Sequence, residues 1–418
     1  MITWANLRAS SAPWLLLPGV FFIYVYVNSA VYSVPSHYGV ESGELAGYAL
    51  AVIAPAAAAA AAWEAGRHRS VHALNTTSTR GAVRRLVAAS LPVLTLHLAL
   101  IATALICARV WVGVWPEDAG WLAVAHLLIV PAEWALIGWF LGQLMPKSVA
   151  AALIAGGCWM WLAMPQATAN AWVRHLGGFI DGTSTVTDLR QPSVYTIPWL
   201  ITAGFVLAAG CAASARRHPW TIGLGICAVI ASLMAGHSLV SGWGYTHPTS
   251  MRTVAQACTG RAPRICVPPE YKPYLDKLRR EAAAPVKRLA TAGVAAPDEL
   301  RVTSSRASLR PGVWPLYWSL PPAHPIGQQQ DFAYSLAESA VAGTAIAAGG
   351  ADCQAPGSLA AAWADLVIGV DEADIRQATV PEAWTQLQHV RRLPVGEQVR
   401  WFNEQVTSKT LCPSETTS

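Results

Sequence analysis

The chain has 418 residues, 53% of them hydrophobic and only 13% charged, with a mean hydropathy of +0.35. A soluble domain carries about 25% charged residues, so this composition excludes an ordinary soluble globule, a disordered chain, a collagen-like repeat and a small disulfide scaffold. The net charge of +5 is small and no Lys/Arg stripe with interleaved aromatics appears, which excludes a nucleic-acid partner on this signal.

Charge divides the chain. Up to Tyr245 there are 12 Lys/Arg and 8 Asp/Glu; from Thr246 onward there are 17 and 16 in a shorter stretch. Residues 1–245 therefore read as a transmembrane domain and 246–418 as a water-soluble C-terminal domain. A span needs about 20 mostly apolar residues. Seven such runs follow in order at 13–33, 45–63, 87–110, 120–144, 149–167, 195–213 and 219–243. The first is too long for a signal-peptide core and lacks an A-x-A cleavage pattern, so it is expected to stay as a span.

Lys and Arg in short loops set orientation. With the N-terminus inside, the inner segments hold Arg8, Arg67, Arg69, Arg80, Arg84, Arg85, Lys147, Arg216 and Arg217, and the outer loops hold Arg174 and Arg190 with Arg109 at a border. The outer loops also hold Glu41, Glu44, Glu117, Asp118, Asp181 and Asp188. An odd number of spans then puts the tail outside. Localisation is accordingly the plasma membrane, multi-pass, with the C-terminal domain extracytoplasmic. Four cysteines, Cys258, Cys266, Cys353 and Cys412, lie in that tail, and an oxidising compartment would pair them. Three connectivities are open, among them Cys258 with Cys266 around a short loop and Cys353 with Cys412.

The tail reads as mostly helical α+β. Pro269–Leu289 has helical spacing of Tyr271, Tyr274, Leu275 and Leu278; Leu300–Thr303 suits a short strand. Arg310–Pro325, with Trp314, Tyr317 and Trp318 among prolines, reads as an extended loop or interface arm. Asp331–Ala348, Ser358–Val370 and Pro394–Val406 are further helices, each with a cap or first-turn signal.

No P-loop, H-E-x-x-H, zinc-type C-x-x-C pair or G-x-S-x-G is present, so no catalytic residue, metal ligand or cofactor is assigned. Two ionisable groups fall inside spans at informative places: Glu133, two residues after Pro131, and His97. A bare carboxylate at that depth costs a few kcal/mol, so Glu133 must face the bundle and be partnered or protonated. It reads either as a polar site on a translocation path or as an interhelical hydrogen bond, for instance with His97, the commoner role in membrane bundles. Trp63-Glu64-Ala65-Gly66-Arg67 ends the second span and opens a basic inner loop; its arginines either meet a cytosolic partner or contact anionic lipid.

The run Ala61-Ala62-Trp63-Glu64-Ala65-Gly66-Arg67, followed by Arg84-Arg85 before the third span, resembles the permease subunits of actinobacterial, Streptomyces-like ABC exporters of the ABC-2 type. The tail opening from Cys258 through Cys266-Val-Pro-Pro-Glu-Tyr is similar to the two-cysteine start of the extracytoplasmic domain in that group. The resemblance covers the layout of the whole chain. It departs from the typical permease, which has six spans and no large tail. It implies coupling through Glu64, Arg67, Arg84 and Arg85 to a separate cytosolic ATP-binding subunit, and a second permease subunit or homodimer. It leaves the substrate open. The competing readings are a non-transporting membrane sensor or immunity protein whose outer domain binds a ligand or envelope partner, and, more weakly, an outward-facing enzyme.

Overall fold

A computed structural model describes residues 10–31, 35, 37–70, 82–181, 185–215, 218–303, 309–318, 320, 332–349 and 358–407, the side chains of 70, 82–89, 333 and 334 excepted. The protein divides into two compact units, one holding Met1–Ser184 and Arg190–Ser250, the other Thr185–Leu189, Met251–Pro321 and Pro325–Ser418. Arg8, Arg80, Arg216, Arg217, Cys353 and Cys412, on which the sequence reading also drew, lie outside the described residues, as do the side chains of Arg84 and Arg85.

The first unit is helical. Its elements are α1 (Ala12–Ala30), α2 (Gly39–Gly47), α3 (Leu50–Ser70), α4 (Ala82–Val112), α5 (Gly120–Leu144), α6 (Lys147–Ala163), the single turn α7 (Ala171–Arg174), α8 (Ser193–Ser214) and α9 (Thr221–Val240). Six helices among the described residues are long and apolar enough to cross a membrane, and seven if α2 and α3 make one span bent by 48°. Burying backbone polar groups in hydrocarbon is possible only when they are paired within the segment, and the helix does this without help from side chains. Prolines at 18, 55, 92, 131 and 198 sit inside these helices, as bundle packing tolerates.

The second span differs from its expected form. The reading at 45–63 takes Glu41 and Glu44 as solvated loop residues; instead they lie on the separate helix α2, with Glu41 fully buried and Glu44 nearly so. After the break, α3 carries seven consecutive alanines, Ala56–Ala62, and no side chain on that stretch holds a neighbour away. The facing helix α5 exploits this. A Cβ added at Gly138 would lie 2.2 Å from the Ala58 carbonyl oxygen, so the two backbones meet directly. Such small-residue seams are how helices associate where lipid removes the hydrophobic drive. Around the seam, Leu45, Leu50, Ile53, Leu100, Leu127 and Val130 form the buried core.

The second unit contains a four-stranded sheet in the order β3 (Ala257–Thr259), β4 (Arg264–Val267), β5 (Glu299–Val302), β6 (Val313–Leu316); the short strands β1 (Asp188–Arg190) and β2 (Thr249–Met251) precede them in the chain. β3 and β4 are antiparallel with Cys258 directly opposite Cys266, and these two form a disulfide. β4, β5 and β6 run parallel. Between β4 and β5 come a 3₁₀ turn, Pro269–Tyr274, and α10 (Leu275–Thr291), which buries Leu278, Ala282, Val286 and Leu289 at helical spacing.

Trp314 corrects the reading of 310–325 as a loop or arm: Val313–Leu316 is a fully buried strand. Pro315 is admissible there because β6 is the sheet's edge, where a missing N–H breaks no ladder. The Trp314 ring packs so closely on α11 (Phe332–Ala347) that a Cβ at Gly343 would fall 1.8 Å from it. The remaining helices are α12 (Leu359–Ile368), α13 (Glu372–Ala378), α14 (Pro381–Arg391) and α15 (Val395–Thr407). Ser358 caps α12 by accepting from the Ala361 amide at 3.2 Å, as its sequence position implies. Trp363 stacks near Phe402, ring centroids 5.0 Å apart, and donates its indole N–H to Gln398 at 3.0 Å.

Candidate functional site

Three of the places where polar groups gather inside the helical unit bear on the candidate site. The first lies at the break between α2 and α3. Glu41 and Glu44 are one turn apart, so both face the same way. The Arg190 guanidinium, arriving from the segment before α8, places Nε 3.0 Å from Glu44 Oε1, with each side chain only 6% exposed. Tyr195 donates its hydroxyl to the same carboxylate oxygen at 3.3 Å. Burial is the largest influence and works against the Arg190 charge, yet Glu44, Tyr195 and Glu41 together outweigh it and hold the pKa above the ordinary arginine value. A cavity of about 10 Å³ opens beside the pair, lined by Glu44, Gly47, Leu50, His126, Arg190 and Tyr195, which is room for a single water.

His126 borders this cavity without being free to take a proton. The Trp199 indole, which only donates, gives its N–H to His126 Nδ1 at 2.7 Å. The Gly178 carbonyl oxygen accepts from Nε2 at 2.7 Å. Both ring nitrogens are committed, and the neutral Nε2–H tautomer satisfies both partners. His126 is a fixed strut of the cavity wall.

The second place is mid-bundle. Glu133 on α5 meets the Thr202 hydroxyl on α8. Thr202 Oγ1 also lies 2.8 Å from the Pro198 carbonyl oxygen. One hydroxyl hydrogen cannot serve both acceptors. When Thr202 donates to Pro198, the Glu133 carboxyl must itself donate to Thr202, which a carboxylic acid does and a carboxylate does not. The suggested Glu133–His97 pair does not form: His97 Nε2 is 3.0 Å from the Leu127 carbonyl oxygen instead.

The third place is the opposite end of α3. Glu64 is 1% exposed. It accepts from the Ser11 amide at 3.2 Å and pairs with Arg67 at 3.3 Å, so it ties the start of α1 to the end of α3. Lys147 lies 4.7 Å over the Trp63 ring, and Arg69 donates to the Gln143 carbonyl at 3.1 Å. Glu64 is thus an internal clasp, while Arg67 and Arg69 reach the surface. Arg84 and Arg85 fall on the first turn of α4, whose backbone alone is described there.

Sequence reasoning singled out Glu64, Arg67, Arg84, Arg85, Glu133 and His97 but passed over the Glu44–Arg190–Tyr195 group. The available signal was Arg190 itself, one of few basic residues in the loops assigned to the acidic side. Among the described residues no group of three or more His, Cys, Asp or Glu is placed to hold a metal ion.

Residues 265–412 match the family profile of a domain of unknown function, DUF7224. No curated protein and no solved structure matches the chain.

Proposed function

We propose that this chain is the membrane subunit of an ABC-type transporter of the ABC-2 class, energised by a separate ATP-binding subunit. One observation carries the reading. The bent α2–α3 element has a buried polar cavity at Glu44 near its break and a basic, clasped terminus at Glu64–Arg67 at its far end. An interrupted span with ionisable groups at the interruption is a form that transporters use for their binding regions, and the same rigid element ends where a soluble motor would press. In this scheme Glu64 positions the end of α3 while Arg67, Arg84 and Arg85 meet the ATPase. Two permease subunits, alike or sister, complete the transporter.

The orientation that goes with this reading has the N-terminus inside and the C-terminal unit outside, in the plasma membrane. The loop arginine asymmetry and the Cys258–Cys266 disulfide support it. A second reading, a sensor or immunity protein whose outer unit binds a ligand, draws support from the C-terminal unit matching a domain family of its own. Affinity purification of the full chain from its native membrane separates the two. A stoichiometric P-loop ATPase supports the permease; recovery of the chain with no ATPase contradicts it.

A further inference from the structure

The chain leaves α9 through a strap, residues 243–248, held against the loop 169–181 by an unusual set of contacts. Tyr245 donates its hydroxyl to the Ala169 carbonyl at 2.7 Å, and the Arg174 guanidinium lies 5.7 Å from the Tyr245 ring centroid. The Gln191 amide donates to the Pro248 carbonyl at 3.0 Å. Between these fixed points two imidazoles face each other: His175 Nδ1 is 3.1 Å from His247 Nδ1, and the ring centroids are 4.9 Å apart. His175 is 3% exposed, and the Trp243 ring closes over it edge-on at 4.9 Å.

The far nitrogens decide the chemistry. His175 Nε2 lies 2.8 Å from the Gly244 carbonyl oxygen, which only accepts, so Nε2 carries a hydrogen. His247 Nε2 faces the Asp181 carboxylate at 3.8 Å, longer than a hydrogen bond, so this contact attracts positive charge to the ring without fixing its tautomer. With both rings neutral, a hydrogen on His247 Nδ1 gives a neutral N–H···N bond to His175 Nδ1, whereas a hydrogen on His247 Nε2 leaves two lone pairs facing each other. One added proton makes the bond charge-assisted, N–H⁺···N, and stronger. A second proton sets two N–H groups against each other. The pair is therefore bound most tightly in a single protonation state.

We infer that His175 and His247 share one proton and form a pH-dependent latch that pins the 243–248 strap to the 169–181 loop. This rests on the geometry of the pair and is independent of the transport reading.

The surrounding charges set the window. Asp181 favours the protonated pair. Arg174 on the same loop opposes added charge, whereas His126 of α5, toward His247, is held neutral by Trp199 and Gly178 and adds none. Arg190 is engaged with the Asp181 carbonyl at 3.4 Å and adds a further cation nearby. Burial chiefly, with His247 and Arg174 adding to it, pushes the His175 pKa below the ordinary histidine value. The second proton thus enters only at a pH lower than a free histidine would need. The Asp181 carboxyl, held below its usual range first by the facing His247 imidazole, stays ionised throughout. The latch therefore loosens on the acid side as His175 charges, and more weakly on the alkaline side as the charge-assisted bond gives way to a neutral one.

Hydrogen exchange of the full chain in detergent micelles tests this, with rates divided by the intrinsic chemical rate at each pH. Across about pH 5 to about pH 8, protection of the 243–248 amides should pass through a maximum and fall roughly tenfold on the acid side, the effect of one charge-assisted hydrogen bond. His247→Gln should flatten the profile. Asp181→Asn, which keeps the shape of the loop, should draw in the alkaline limb. Protection of Ser193–Ser214 reports whether each variant is folded. A wild-type profile that is flat, or a pH maximum that persists in folded His247→Gln, overturns the latch. So does a tenfold rise in protection on adding zinc at fixed pH, which would place a metal rather than a proton between the rings.

Discussion

Arg190 and Glu44 meet at 3.0 Å in the interior of the helical unit, and each is the other's compensation for leaving water. Glu44 belongs to the short helix before the break, Arg190 to the segment that leads into α8, so the pair joins two distant parts of the chain. Breaking such a pair on one side costs more than the pair contributes, because the surviving charge stays buried. Arg190→Ala should lower stability by about 3–5 kcal/mol, read as a fall in the detergent unfolding midpoint. Adding Glu44→Gln should recover part of that loss, because one of the two buried carboxylates facing the lost cation is then neutral. If the double variant is as unstable as the single one, the charge pair is not what holds this corner.

Glu133 makes a different kind of statement. Its partner is the Thr202 hydroxyl, and the Pro198 carbonyl competes for the same hydrogen. Glu133→Gln retains a side-chain donor and should behave as wild type. Glu133→Ala should cost about 0.6–1.7 kcal/mol, the range of interhelical hydrogen bonds in membranes. Glu117→Ala, at the loop before α5, should cost less than Glu133→Ala. Thermal unfolding of the three variants checks the order; a Gln variant as damaged as the Ala variant removes the donor argument.

The disulfide between Cys258 and Cys266 joins directly opposed residues of β3 and β4, with a sequence separation of 8. The chain-entropy model gives such a loop about 2–3 kcal/mol. In intact cells, thiol reagents that do not cross the membrane should label Cys258, the more exposed of the two, only after reduction. Labelling before reduction means that the bridge is absent in the cell. No labelling after reduction, with the protein present, means that the tail is not outside.

Much of this architecture is legible in the sequence. Spans at 120–144 and 195–213 coincide with α5 and α8 within a residue or two because an apolar run of that length has no other stable fate. The Ser358 cap is similarly local. What escapes is set by contacts distant in sequence. Glu41 and Glu44 carry the same letters as solvated loop residues; only the return of Arg190 and Tyr195 shows that they are inside. The partner of Glu133 depends on the register of α5 against α8, which no single helix encodes. The strand at Val313–Leu316 hides behind Pro315, whose meaning reverses once its edge position is known.

The coupling role of the inner rim is the central claim, and a charge reversal at Arg84 and Arg85 tests it most directly. Arg84→Glu with Arg85→Glu converts attraction to repulsion at a docking surface, a cost of several kcal/mol for juxtaposed like charges. Topology should survive on the remaining Arg67, Arg69 and Arg80, with protease accessibility of the C-terminal unit as its control. The expected result of a pull-down is loss of the ATPase from a correctly inserted variant. A correctly inserted variant that holds the ATPase as tightly as wild type would contradict the account.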